Sequence, residues 1–249
     1  MKTLVLFILL ALPLGAGELR IAVASNADAA FAAISERFTR ESGVRVVRVS
    51  GATGRHYAQI VNGAPFDLLI AADAETPARL HASGHALETG TYGFGVLVLW
   101  SARPGLVDAQ GAVLHGADFR RLALANATVA PYGKAAEEVL DSLNLLEALG
   151  PKLVRGSNIG QTAHFVSSGA ADLGFVALSQ LQRPGGGELP GSHWIPPAES
   201  YTPLEQRWAR LSDRPEARAF LAFLATPEAR DLLRGYGYTL PEPHASDPG

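Results

Sequence analysis

Residues 18–73 read ELRIAVASNADAAFAAISERFTRESGVRVVRVSGATGRHYAQIVNGAPFDLLIAAD, and their pattern decides the fold. Leu19 to Ala24 is a short run of the buried-strand type. After Ser25 the apolar positions Ala27, Ala30, Phe31, Ile34 and Phe38 recur at helical spacing until Gly43 stops them. Val44, Val46, Val47 and Val49 form a β-branched run that ends at Ser50-Gly51. A second helix, Arg55 to Val61, is terminated by Asn62-Gly63-Ala64-Pro65, and Phe66 to Ala71 is another strand. Thr76-Pro77 opens a third helix with a cap and a proline at its first position, and Gly84 closes it. Strand-helix-strand repetition predicts a parallel sheet with helices on both faces. Such sheets bind ligands at the carboxyl ends of their strands.

A second α/β unit begins after Gly90. Gly95 to Trp100 and Leu122 to Ala125 read as strands, Ala135 to Leu149 as one long helix with Gly150-Pro151 as its stop, and Leu153 to Arg155 as a strand. A helix from Gly160 to Ser168 and a strand from Ala171 to Ala177 follow. Residues 183–187 and 195–197 carry loop chemistry. The C-terminal part adds a strand near Glu205 to Arg210 and two capped helices, one starting around Asp213 to Glu216 and one at Thr226-Pro227-Glu228. With no fixed-period repeat and no linker composition between the halves, two α/β lobes joined by ordered crossing strands fit this order.

Four β-runs break at a small polar residue and turn straight into a helix: Ser25-Asn26, Thr53-Gly54, Pro131-Tyr132-Gly133 and Ser157-Asn158-Ile159. Each break aims unpaired backbone N–H groups and a partial positive charge at one spot, which holds anions without formal charge. Convergence of the four would cage a small, fully ionised oxyanion. Taken singly, a Ser, Thr or Asn at a helix start is ordinarily a cap. Tyr132 alone reads as a packed aromatic, and Asp28 as a residue that stabilises a helix end. Arg55, His56 and Lys134 sit just inside two helix starts, where basic side chains usually face solvent and act at the rim of a site.

The chain has 249 residues, 47% hydrophobic and 18% charged, with a net charge of -3, which describes a globular protein able to bury a substantial core. No basic block points to nucleic acid or an anionic membrane surface. Cysteine is absent, which excludes disulfides, zinc-thiolate sites, thiol catalysis and an N-terminal lipid-bearing Cys. His81 and His85 are spaced like metal ligands, yet no Glu follows His81 and Gly84 breaks the helix between them.

The N-terminus reads as an export signal over 1–17. Lys2 supplies its positive region, Leu4 to Leu12 an apolar core too short to span a bilayer, and Pro13 to Gly17 small residues for cleavage. The mature chain is expected to be periplasmic.

The stretch from Gly51 to Asp73, GATGRHYAQIVNGAPFDLLIAAD, resembles the signature of the molybdate-binding periplasmic proteins of ABC importers. Ala24-Ser25-Asn26, Ala130-Pro131-Tyr132-Gly133, residues 158–162, residues 174–180 and the closing Gly235-Tyr236-Gly237-Tyr238 resemble the same family in the same order. The resemblance implies a two-lobed type II periplasmic binding fold, a Venus flytrap of two mixed, mainly parallel sheets flanked by helices with two hinge crossings. It closes over molybdate or tungstate and delivers the ion to a membrane permease and its ATPase. The lobes would comprise 18–92 with 201–249, and 93–200, hinged near Thr91 to Phe94 and Ser200 to Leu204. Carried over to this sequence, the anion contacts fall on Ser25, Asn26, Thr53, Tyr132 and Ile159. Ser25 and Thr53 would donate both hydroxyl and N–H, Asn26 its N–H with its side-chain amide as a further candidate, and Tyr132 and Ile159 their N–H groups. The chain is read as a monomer with no cofactor and no catalytic residue, and the resemblance implies no direct metal ligand, since the metal lies inside the oxyanion. One branch uses a tyrosine hydroxyl where this chain has Ala177; Asn26 and Thr53 fit the other branch's wiring.

A site of donors alone rejects ligands that must themselves donate a proton, such as protonated phosphate. The nearest rivals are binding proteins for sulfate, phosphate, chromate or a small carboxylate, and Arg55 is the one candidate for pairing a carboxylate. An α/β enzyme is the remote alternative: there is no Gly-x-Ser-x-Gly elbow, Gly133-Lys134-Ala135 lacks the rest of a P-loop, and residues 49–54 lack dinucleotide-fingerprint spacing.

Overall fold

The structure is a computed structural model that describes residues 17–241. The expected export signal lies outside the described residues except for Gly17. Two five-stranded sheets form the frame. The first contains β1 (Glu18–Ala24), β2 (Arg45–Gly51), β3 (Leu68–Ile70), β4 (Glu88–Gly95) and β10 (Leu204–Arg210), in the order β2-β1-β3-β10-β4. The second contains β5 (Leu97–Ser101), β6 (Leu122–Ala125), β7 (Leu153–Gly156), β8 (Leu173–Ala177) and β9 (Ser192–Trp194), in the order β7-β6-β8-β5-β9. In each sheet three neighbouring strands are parallel and a fourth is inserted antiparallel, β10 in the first and β5 in the second. The molecule is therefore two-lobed, with mixed sheets in which four strands of five share a direction.

Period-two alternation sorts the strand residues onto two faces. In the first lobe Leu19, Ile21, Val23, Leu68 and Ile70 pack beneath α1 (Asp28–Ser42), α8 (Pro215–Leu224) and α9 (Pro227–Gly235). Ala22 and Leu69 face the opposite side, against Ile60 of α2 (Thr53–Val61) and Leu80 of α3 (Glu75–Ala82). In the second lobe Leu97, Leu99, Leu122, Leu124 and Phe175 pack with α4 (Pro131–Ser142) and α5 (Leu146–Leu149), while Val98, Ala123 and Val176 face α6 (Ile159–Ser167) and α7 (Leu178–Leu181). Parallel strands covered on both sides bury their ends, so the β-to-α turns all open at one edge of each sheet.

Three expectations need correction. The helix expected over Ala135 to Leu149 is two helices. Asn144 adopts φ 57°, its N–H donates to Asp141 O, and Leu145 N–H donates to Leu140 O, both at 2.8 Å. This is a Schellman stop with Asn in place of Gly. The third helix starts at Glu75 rather than at Thr76-Pro77, its N-cap Ala74 makes no side-chain bond, and Asp73 Oδ1 just before it accepts the Thr76 N–H at 2.8 Å. The strand expected from Gly95 to Trp100 is two strands, β4 ending at Gly95 and β5 starting at Leu97, and Gly90, Gly93 and Gly95 hide the β4 pattern before Gly95. Its glycines admit close neighbours; a Cβ at Gly90 would lie 2.4 Å from Trp208 and one at Gly95 2.0 Å from the Tyr132 hydroxyl. The short α7 and β9 also went unread.

Gly133, in the first turn of α4, sits against β6, and a Cβ there would lie 2.3 Å from Ala125 O. Gly133→Ala is expected to push α4 outward and lower stability by about 1–3 kcal/mol, measured by urea denaturation.

Candidate functional site

The β1–α1, β2–α2, pre-α4 and β7–α6 turns meet between the lobes. Ser25, Asn26, Thr53, Tyr132 and Ile159 all line one cavity of about 10 Å³, completed by Ala24, Gly51, Ala52, Ala72, Ala130 and Pro131. That volume lies below the range of roughly 300–1,000 Å³ usual for organic ligands. Asn26, Thr53, Tyr132 and Ile159 are buried. Neither a carboxylate nor a basic side chain is among the lining residues.

The helix starts explain what the cavity offers. An N-cap side chain normally accepts one of the free N–H groups of the first turn. Here the N-caps of α1, α2 and α4 are Ala27, Ala52 and Ala130, and none makes a side-chain cap bond. Thr53 is the first residue of its helix rather than its cap, and Ser25 and Asn26 precede the Ala27 cap, so capping does not account for them. The N–H groups of Asn26, Thr53, Tyr132 and Ile159 take no partner among the described residues. Helix α6 is capped, by Asn158 Oδ1 accepting from Gln161 N–H at 2.9 Å, which leaves Ile159 N–H uncommitted.

Both hydroxyls are oriented by accepted bonds. Thr53 Oγ1 accepts from Ala72 N–H at 3.1 Å, and Ser25 Oγ from Gly160 N–H of the opposite lobe at 3.2 Å. With one of its two lone pairs engaged, each hydroxyl keeps its O–H hydrogen free to give. Two details differ from the donors implied by the family. Ser25 N–H is taken by Gly51 O at 2.9 Å, so Ser25 has only its hydroxyl to offer. The Asn26 amide nitrogen points into a buried polar network, donating to Gln206 Oε1 at 2.9 Å and Tyr238 Oη at 3.0 Å. Gln206 also donates to the Tyr132 hydroxyl at 3.3 Å, and the Tyr92 hydroxyl donates to Gln206 Oε1 at 2.9 Å. The Tyr132 side chain, incidental in the sequence, is thus a buried link to β10. Burial pushes the Tyr92, Tyr132 and Tyr238 phenols well up, so they stay protonated.

Among the basic residues, Arg55 and Lys134 are exposed as expected, and Lys134 lies 3.9 Å from Glu138. His56 is not at the rim: it is buried beneath Gly51, with Nε2 3.2 Å from Val23 O and Nδ1 3.1 Å from Gln59 Oε1. Desolvation holds its imidazole below the ordinary value. His81 and His85 turn to different partners, Ala86 O and Ser83 Oγ. No cluster of three His, Cys, Asp or Glu side chains could hold a metal among the described residues. Ala177 does not line the cavity.

A family model described as bacterial extracellular solute-binding protein matches residues 19–239. The chain belongs to that family. Within it, this solute-binding protein is similar to the molybdate-binding protein ModA of Azotobacter vinelandii, 44% identical over 238 residues that cover 93% of this chain and 94% of the relative. It is also similar to ModA of Rhodobacter capsulatus, 43% identical over 234 residues covering 92% and 91%. The solved Azotobacter vinelandii periplasmic molybdate-binding protein superposes with a TM-score of 0.86 at 41% identity, covering 90% of this chain and all (100%) of that one. The relatives are binding proteins, and this solute-binding protein is ModA-like.

A depressed His56 means that the unfolded chain takes up this proton first as pH falls from the ordinary 6.5. The stability owed to neutral His56 is full above that value and lost as pH drops through the folded one. Melting temperatures are expected to fall between about pH 7 and 5, and His56→Leu to show a shallower slope across that window.

Proposed function

We propose that this chain is a non-catalytic, monomeric periplasmic receptor that captures molybdate, and tungstate with it, for the permease and ATPase of an ABC importer. The observation that carries this reading is the set of six neutral donors, four N–H groups and two hydroxyls, drawn from both lobes around one small buried cavity. Ser25, Asn26 and Thr53 serve from the first lobe, Tyr132 and Ile159 from the second. A tetrahedral dianion supplies acceptors to all of them and needs no acceptor in return. The helix starts add partial positive charge of about half a unit each. Residues 1–17 act as the export signal. The lobes are 18–92 with 201–249, and 93–200, with hinges near Thr91 to Phe94, at the end of β4, and near Ser200 to Leu204, leading into β10.

Calorimetric titration with molybdate, tungstate, sulfate, phosphate and chromate tests the ligand. Molybdate at about a thousandfold excess over its Kd is expected to add about 4 kcal/mol of stability and sulfate at equal concentration much less. Equal shifts with both would defeat the assignment. Thr53→Ala removes a charge-assisted donor and is expected to weaken molybdate binding by roughly 1.5–3 kcal/mol, read by the same titration, with the fold retained.

A further inference from the structure

Outside the cavity, a second surface joins the lobes. Helix α7 of the second lobe lies against the β1–α1 turn and the C-terminal turn Gly235-Tyr236-Gly237-Tyr238 of the first. The Ser179 hydroxyl, 4% exposed, donates to Asn26 O at 2.8 Å, across the lobes and behind the cavity. Two glycines make the approach possible. A Cβ at Gly235 would lie 3.2 Å from Pro184 Cα, and one at Gly237, where φ is +81°, would lie 2.9 Å from Leu178 Cγ.

We infer that Ser179 is a positioning residue that holds the lobes shut on the anion, seated on a glycine-backed closure face. Ser179 does not line the cavity, so its effect passes through residue 26, whose own N–H does. Both ends of this bond are polar groups that water satisfies when the lobes part, so the bond adds stability to the closed state alone. Gly235 and Gly237 contribute by what they lack: side chains there would wedge the lobes apart without touching the ligand. This inference rests on the oxyanion reading and assigns the control of ligand release within it.

The test follows molybdate release by stopped flow and lobe separation by paired spin labels. The chain has no cysteine, so labels at the exposed Glu36 and Glu147, one per lobe, are introduced as Glu36→Cys and Glu147→Cys. Ser179→Ala is expected to raise the molybdate dissociation rate about three- to tenfold, leave association within about twofold, and populate an open distance at saturating molybdate. The ligand-free melting temperature should stay at its wild-type value. Gly235→Val, the wedge, is expected to act in the same direction. Wild-type dissociation rates in both variants would overturn the inference, as would a lowered ligand-free melting temperature with an unchanged closed fraction. A wild-type protein that does not bind molybdate would instead remove the oxyanion reading on which it stands.

Discussion

Main-chain N–H groups withdrawn from water must find acceptors, and this fold leaves four of them without one at a single place. Each unpaired donor in a dry site costs about 1–3 kcal/mol, so the deficit is tolerable only where something else can satisfy it. Alanine at the N-cap of α4 leaves the Tyr132 N–H, at the second helical position, without a side-chain cap, while the Thr53 and Ile159 N–H groups open their helices at a position that no N-cap side chain reaches and the Asn26 N–H precedes its helix. The polar residues that occur nearby, Ser25 and Thr53, are displaced from the cap positions, and their hydroxyls, each accepting one bond, keep a hydrogen to give. The parallel arrangement of β1, β2 and β3, and of β6, β7 and β8, is what delivers these turns to one edge of each sheet.

Division of the proposed donors between two lobes would couple anion binding to closure. The first lobe supplies Ser25, Asn26 and Thr53, and the second Tyr132 and Ile159, so neither lobe alone satisfies a four-cornered acceptor. Three further bonds cross between the lobes around the cavity: Gly54 N–H to Val129 O at 3.0 Å, Ser179 Oγ to Asn26 O at 2.8 Å, and Gln206 Nε2 to the Tyr132 hydroxyl at 3.3 Å. Bonds of this kind couple ligand contact to lobe position without adding charge.

Much of this was legible in the chain because strand and helix periods are strong over residues 18–83, and because small polar residues at strand ends mark the turns. What the pattern could not convey was direction. Ser25 N–H, free in a local reading, is taken by Gly51 O across a strand pairing that only the assembled sheet creates. The Asn26 amide faces Gln206, a residue 180 positions away. His56 looked like a rim cation on a helix start, but that helix lies with His56 against β1, and a buried imidazole carries no charge cheaply. Strand β4 was hidden for a related reason: its glycines are set by Trp208 and Tyr132 packing onto them from distant segments. Asn144 ends a helix in the left-handed conformation, which Asn adopts less often than Gly, so the sequence pattern runs on through it.

The shell behind the cavity extends the same logic from geometry to charge. Tyr92, Tyr132 and Tyr238 are buried phenols held protonated by desolvation, Gln206 and Asn26 are neutral amides, and His56 is pushed toward its neutral form. A cationic shell would attract any anion, monovalent ones included, and an anionic one would repel the proposed dianion. A neutral shell leaves the field of the cavity to its helix starts and fixed N–H groups, whose orientation does not change with pH. Under the proposed function, discrimination would fall to the number and spacing of backbone donors rather than to Arg or Lys side chains.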